Sequence, residues 1–414
     1  MTQNEALKIL KKGHNVFLTG AAGSGKTYTL GKFIEYLKDK KINVGITAST
    51  GIAATHLSGM TIHSWSGIGI KDIMSDKDLN SILGKTYLKT RFHKTNILII
   101  DEISMLHAHR LDMIDRVCRA FKEKDVPFGG MQIVMCGDFF QLPPVTRGEE
   151  EGNFAYKSHI WNHMDLQICY LEEQYRQSDR AFLRVLSDIR TDSVDDDTVN
   201  YLLERYNQEV GGKIKPTRLY THNTDVDAIN EMELAKIDQK LHSYQMNAKG
   251  SKDLLEFLYK SCLAPETLNI KFGAVVMFVK NNFDKGYVNG TLGKVMGFDD
   301  NDYPIVETTT GLEIIASPAS WMIEEENKTL AEINQIPLRL AWAITIHKSQ
   351  GMSLDAAEID LSKSFVPGMG YVALSRVRTL AGMKLVGLNE MSLRVNPEVL
   401  EMDKLFQEKS NIVI

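Results

Sequence analysis

No stretch of this 414-residue sequence approaches the ~18 consecutive apolar residues that a membrane-spanning helix needs. A helical membrane anchor is excluded, and no membrane partner is expected. Cysteine is scarce: Cys118, Cys136, Cys169 and Cys262 lie far apart and form no CxxC pair. That excludes a zinc ribbon or a disulfide framework and suits a reducing compartment. Excess positive charge is also missing, since 48 Lys and Arg stand against 53 Asp and Glu for a net charge of −5. A broad basic face is therefore excluded, and any nucleic-acid contact must be a local channel. No internal repeat or low-complexity tract occurs. No secretory or Arg-rich leader precedes the first motif, so the expected setting is a prokaryote-like cytoplasm. What remains is an ordinary globular composition, 43% hydrophobic and 24% charged, long enough for two or three domains.

The first informative stretch is "TGAAGSGKTYTL", residues 19–30. Val16, Phe17 and Leu18 before it read as a short buried strand. Gly20, Gly25, Lys26 and Thr27 fit the spacing G-x-x-x-x-G-K-[ST]. Leu30, Phe33, Ile34 and Leu37 then recur at helical spacing. Strand, glycine loop and helix form the context in which backbone N–H groups and a helix N-terminus hold phosphate. Gly23, Ser24, Gly25, Lys26, Thr27 and Tyr28 are the expected nucleotide contacts. Lys26 reaches the β and γ phosphates, and the Thr27 hydroxyl holds Mg²⁺.

"NILIIDEISM", residues 96–105, reads as a buried strand with Asp101 and Glu102 at its carboxyl end. Ligands of open α/β sheets bind at that edge. Asp101 is expected to hold Mg²⁺, and Glu102 to orient or deprotonate the attacking water. A further strand begins "QIVMCGDFFQLPPV" at residue 132, and Gln141 after it is placed to sense the γ phosphate. These features predict an NTPase using ATP and Mg²⁺, but they leave the work it performs undefined.

Downstream, Arg176 in "LEEQYRQ" and Arg376 in "YVALSRVR" are candidate arginine fingers, a device worth ~10³–10⁵ in rate. Three polar segments follow strand-like runs: "TASTGIAATHLSGMTIHSW" from residue 47, "RLYTHNTDVDAIN" from residue 218, and "LRLAWAITIHKSQGMSLD" from residue 338. The last is read as an apolar helix-like segment ending in polar residues. Hydroxyls, histidines and a lysine at such ends suit a phosphodiester backbone. The spacing of His63, His222 and His347 makes no metal triad.

Taken in order, "GAAGSGKT", "TASTGIAA", "GMTIHSW", "ILIIDEISM", "PFGGMQIVMCGDFFQLPPV", "LEEQYRQ", "VNGTLGKV", "AITIHKSQGMSLD" and "GYVALSRVRT" resemble the helicase motifs of the petite-integration-frequency (PIF) family, B-type members of helicase superfamily one. The likeness covers residues 2 to about 388. The run "RLDMIDRVCRAFKEKDVPFGG", residues 110–130, is similar to the signature that separates this family from relatives of the RecD type. The resemblance implies an ATP-dependent helicase moving 5′ to 3′ on single-stranded DNA, in replication, repair or recombination. Single strands and 5′-tailed or forked duplexes are the implied partners, with G-quadruplexes and RNA–DNA hybrids as further candidates, and a monomer is the implied working state. The resemblance assigns Gln3 to adenine, and Thr50, Thr61, His63, Thr221, Asn223, His347 and Lys348 to the DNA strand. It also places the nucleotide between two domains, with Arg176 and Arg376 reaching the γ phosphate.

The implied architecture is α/β: two RecA-like parallel-sheet P-loop domains, a small SH3-like all-β insertion in the second, and a small wedge insertion in the first. The expected boundaries are 1–165 for the first domain, with a wedge of loop or small hairpin about 56–75. Residues 166–225 and 335–414 are expected to form the second domain, and 226–334 the insertion. Its barrel is expected about 270–325, where "AVVMFV", "LGKVMGF", "YPIVETTT" and "LEIIASP" read as short strands. The basic and aromatic stretch "GKTYLKTRFHK", residues 84–94, reads as the solvated face of a helix, with a base-stacking platform as the alternative. A translocase that strips bound protein from single strands without unwinding duplex uses the same motifs and stays open.

Overall fold

The computed structural model describes all residues except 70, 145–152, 176–178, 212–213, 221–225, 283, 326–327 and 414, and omits the side chains of 253, 325 and 413. The chain divides into two compact units. The first comprises Met1–Tyr175, Met322–Leu330 and Glu401–Ile414, and the second Arg176–Trp321 and Ala331–Leu400.

The first unit is built on a six-stranded sheet: β1 (Asn15–Gly20), β2 (Val44–Ala48), β3 (Met60–Thr61), β4 (Ile97–Asp101), β5 (Gln132–Cys136) and β6 (Leu166–Leu171). The order is β3-β2-β4-β5-β1-β6, and every neighbouring pair is parallel. Strands β1 and β4 are apolar runs with almost no exposed position, as strands covered on both faces require. Because β4, β5 and β1 are neighbours, their carboxyl ends bring Gly20, Asp101 and Cys136 to one edge.

Two helices set this edge. α1 (Gln3–Lys11) starts on a capping box in which Thr2 and Glu5 satisfy each other's backbone N–H groups. α2 (Lys26–Asp39) follows the glycine loop directly and buries Leu30, Phe33, Ile34 and Leu37, the positions its spacing predicts. Both pack into one core with Val16, Leu18, Ile99 and Val134.

The first unit extends past the expected boundary at 165. β6 pairs with β1 over its whole length, so Leu166–Leu171 complete the first sheet. Residues Glu401–Ile414 also join this unit, away from the expected 335–414 segment. Phe406 packs edge-on against Phe17 at 5.1 Å, and Asp403 accepts from the Tyr170 hydroxyl at 3.0 Å.

The expected wedge is also different in form. Among the described residues of 56–75 there is no hairpin: β3 pairs in parallel with β2, and a short helix, α3 (Ile62–Ser66), follows it. The cause is burial. Met60, Ile62, Trp65 and Ile68 are all inside, and Trp65 stands 4.6 Å from Phe92. Gly45 makes room for the indole, since a Cβ there would lie 2.8 Å from Trp65 Nε1. Residues Thr86–Lys94 form a helix that turns Leu88, Arg91 and Phe92 inward, so the basic stretch is a helix with a solvated face.

The second unit contains a four-stranded parallel sheet with strands in the order 343–345, 217–220, 357–361 and 383–388. It also holds a five-stranded antiparallel sheet ordered 313–315, 304–308, 292–298, 275–278 and 338–340. Val276, Phe278, Val295, Val306 and Leu338 form its core. The segment from residue 338 is two strands, Leu338–Leu340 and Ala343–Thr345, with no helix. A short run that is apolar on all sides gives no period by which to tell a buried strand from a buried helix.

Candidate active site and nucleic-acid interface

The glycine loop adopts a backbone that L side chains resist. Gly23 and Gly25 have φ +90° and +84°, in the left-handed region. Gly25 is the N-cap of α2 and supplies no side-chain cap, so the helix's first backbone donors are not taken by a capping side chain. Ser24 Oγ is buried with no hydrogen-bond partner among the described residues. Lys26 Nζ folds over the loop and donates to the Gly20 and Ala21 carbonyls at 2.8 and 3.0 Å. Thr27 and Tyr28 are exposed on the first turn. An orphan hydroxyl, helix-terminal N–H groups and a lysine around one glycine loop fit a triphosphate.

Gln3, the first residue of α1, donates from Nε2 to the Ser24 carbonyl at 3.2 Å. A Cβ on Gly25 would fall 1.9 Å from the same nitrogen. Tyr175 donates its backbone N–H to the Gly23 carbonyl at 3.0 Å, and its ring borders Gly25. Sequence reasoning missed Tyr175; its only signal was its place beside Arg176 in "LEEQYRQ".

Asp101 ends β4 and is 7% exposed. Burial pushes its carboxyl up, while the Glu102 N–H, the Cys136 thiol and the Lys26 ammonium oppose that shift. The Glu102 backbone donates to Asp101 Oδ1 at 2.8 Å. Glu102 itself has φ +52°, which turns the chain sharply after the strand. One carboxylate and one hydroxyl, Asp101 and Thr27, suit Mg²⁺, which keeps most of its waters. Among the described residues, no group of three or more His, Cys, Asp or Glu could hold a metal ion by itself.

Gln141 is 8% exposed and donates to Asp138 Oδ2 at 3.3 Å. Asp138, fully buried, also accepts from the Phe140 N–H at 3.2 Å. It holds the loop that carries Gln141, a role the sequence reading did not assign.

The expected strand contacts in the first unit sit at strand and helix junctions. Thr50 caps the helix Gly51–His56, accepting from Ala53 N–H at 3.3 Å. Thr61 caps α3 and accepts from Ser64 N–H at 3.3 Å. His63 is the second residue of α3, with Nε2 3.1 Å from an Arg110 nitrogen. Burial and the neighbouring Arg110 and His107 lower the His63 pKa to about 4.

In the second unit, His347 and Lys348 occupy the turn after the strand Ala343–Thr345. The Lys348 backbone donates to Thr345 Oγ1 at 3.2 Å, and its ammonium lies 3.6 Å from Asp227. Arg339 shares that carboxylate at 3.3 Å. Thr221 and Asn223 lie outside the described residues, as does Arg176. Arg376 is 1% exposed, with its guanidinium donating to the Val372 carbonyl and to Ser375 Oγ, each at 2.9 Å.

Comparison with known proteins settles the family. Residues 3–195 match the profile "PIF1-like helicase", and residues 253–298 match "DNA helicase Pif1, 2B domain". The chain is 45% identical to an ATP-dependent DNA helicase Pif1 of Psychrobacter sp., aligned over 99% of this chain and 71% of that protein.

The chain belongs to the PIF1-like helicase family.

It is also 36% identical to the human ATP-dependent DNA helicase PIF1, of whose length it spans 62%. Among solved structures, Bacteroides Pif1 in complex with ADP-AlF4 matches with a TM-score of 0.86 at 33% identity, covering 99% of this chain and 97% of that one. The same Bacteroides protein with ADP-AlF3 and single-stranded DNA matches with a TM-score of 0.66 at 32% identity over the same shares. This family and the parallel-sheet α/β architecture agree with the resemblance drawn from the motifs.

Proposed function

We propose that this PIF1-like chain is an ATP-dependent DNA helicase that translocates 5′ to 3′ on single-stranded DNA and unwinds tailed or forked duplexes in replication, repair or recombination. The observation that carries the ATP-driven part is the phosphate loop, whose orphan Ser24 hydroxyl and Lys26 ammonium stand on the same sheet edge as Asp101. Support for DNA as the track comes from the family and from the relative solved with single-stranded DNA.

In this proposal Gly23, Ser24 and Gly25 offer backbone donors to the phosphates, and Lys26 leaves the Gly20 and Ala21 carbonyls to meet them. Gln3 recognises the base. Thr27 and Asp101 hold Mg²⁺, which when bound neutralises phosphate charge. Glu102 takes the proton of the attacking water, and Gln141, steadied by Asp138, reads the terminal phosphate. Arg176 and Arg376 supply positive charge to the transition state. Thr50, Thr61, His63, Thr221, Asn223, His347 and Lys348 hold the strand. Melting one base-pair step costs about 1.4 kcal/mol on average, within the range of a nucleotide-driven movement.

The test is ATP turnover with and without added single-stranded DNA. Strong stimulation is expected, and turnover indifferent to the strand would remove the motor reading.

A further inference from the structure

Sequence reasoning gave no role to Arg110, at the start of the helix Ala108–Lys122. Its guanidinium bridges two segments. One terminal nitrogen lies 3.1 Å from His63 Nε2, and the other donates to Asp72 Oδ1 at 2.7 Å. Its Nε is buried with no hydrogen-bond partner among the described residues, and the two terminal nitrogens carry the contacts.

Chemistry then fixes the state of the imidazole. A guanidinium has only donors and stays charged. His63 Nε2 must therefore accept, which makes the ring neutral and leaves its proton on Nδ1. Protonating Nε2 would set N–H against N–H and cation against cation. The titratable and charged groups facing His63 are Arg110 and His107. Asp72 and His109 lie one contact further out, 3.8 Å apart, and His109 stacks on His107 at 5.2 Å between ring centroids. No carboxylate among these described groups faces the ring directly.

We propose that Arg110 is a positioning residue: anchored by Asp72, it locks His63 as the neutral Nδ1–H tautomer, so the strand meets a fixed, uncharged donor there. This rests on the reading of His63 as a strand contact. An uncharged donor adds nothing to the counterion-release part of binding and keeps this contact independent of pH. The lowered His63 pKa agrees with the lock.

The test uses the full chain with labelled histidine, read by NMR across about pH 5 to 8, the range in which an ordinary imidazole titrates. His63→Gln assigns the signal among the 11 histidines. In the wild type, His63 is expected to keep the Nδ1–H tautomer and stay neutral throughout. In Arg110→Met the preference for the Nδ1–H tautomer should be lost and the pKa should rise above about 4, while burial still holds it below the ordinary imidazole value. A wild-type His63 that titrates normally, or carries its proton on Nε2, overturns the inference without any appeal to DNA.

A second arm measures binding of fluorescent oligo(dT). Arg110→Met should bind about five-fold more tightly at low pH than at high pH, because a charged donor makes the stronger bond to phosphate. The wild type and Arg110→Met/His63→Ala should lack that added dependence. If NMR confirms the lock but the double variant keeps the dependence, His63 is not the contact, and the strand half of the proposal is overturned.

Discussion

Gln3 donates its side-chain amide to the Ser24 carbonyl at 3.2 Å, and so ties α1 to the phosphate loop. A methyl group on the neighbouring Gly25 would push Gln3 aside, since its Cβ would sit 1.9 Å from Gln3 Nε2, and it would stand on a backbone with φ +84°. Gly25→Ala should weaken ATP binding by about ten-fold or more, through the strain of a left-handed non-glycine residue and displacement of Gln3. Titration with a fluorescent ATP analogue checks this. Gln3→Ala/Gly25→Ala should recover part of the loss.

Lys26→Ala and Glu102→Gln should both abolish turnover, for different reasons. Lys26→Ala removes charge from the phosphate cradle and should weaken nucleotide binding. Glu102→Gln keeps the shape and removes the base, a change worth about 10²–10⁴ in rate. It should still bind nucleotide. Binding measured beside single-turnover hydrolysis separates the two.

Arg376→Ala should reduce stimulated ATP hydrolysis by about 10³-fold or more while oligo(dT) binding persists. Its guanidinium is buried on the Val372 carbonyl and Ser375 Oγ, so a melting curve must accompany the assay. A variant that folds, binds DNA and hydrolyses ATP normally would remove Arg376 from the catalytic set.

The motif-bearing edge of the first unit was legible because its signals are local. "GSGKT" demands positive φ and a helix behind it, and "ILIID" is too apolar for anything but a buried strand. Leu166–Leu171 carried no such signal. The apolar character of that segment was visible, but its pairing with β1 across the chain was a tertiary choice. Likewise Met60–Thr61 pairs in parallel with β2 while Trp65 fills the space beside Gly45, a matter of packing rather than pattern. Arg110 was invisible for the same reason, since only the fold sets it against His63.

The turn that follows the helix Ala108–Lys122 is pinned by one carboxylate. Asp115 accepts from the Phe128 N–H at 2.6 Å and from Arg119 Nε at 2.7 Å, and Phe128 has φ +48°. Asp115→Ala leaves that backbone donor buried and unpaired and releases a strained turn. A loss of about 2–4 kcal/mol is expected, read by urea unfolding. Asp115→Asn, which can still accept, should lose less.

Acid should destabilise the fold partly through His63. Its folded pKa of about 4 lies below its ordinary value, so the unfolded chain binds the proton more readily. The contribution is fully present above the ordinary imidazole range and is lost as pH falls through that range toward about 4. His63→Gln should flatten that limb of a stability-against-pH curve, and an unchanged limb would place the acid sensitivity elsewhere.

The most direct measurement is strand displacement on matched duplexes bearing either a 5′ or a 3′ single-stranded tail. The account predicts that the wild type, with ATP and Mg²⁺, separates the 5′-tailed duplex and leaves the 3′-tailed one paired, and that Lys26→Ala separates neither. Separation of the 3′-tailed duplex alone, or of neither duplex while the strand still stimulates ATP turnover, would contradict it.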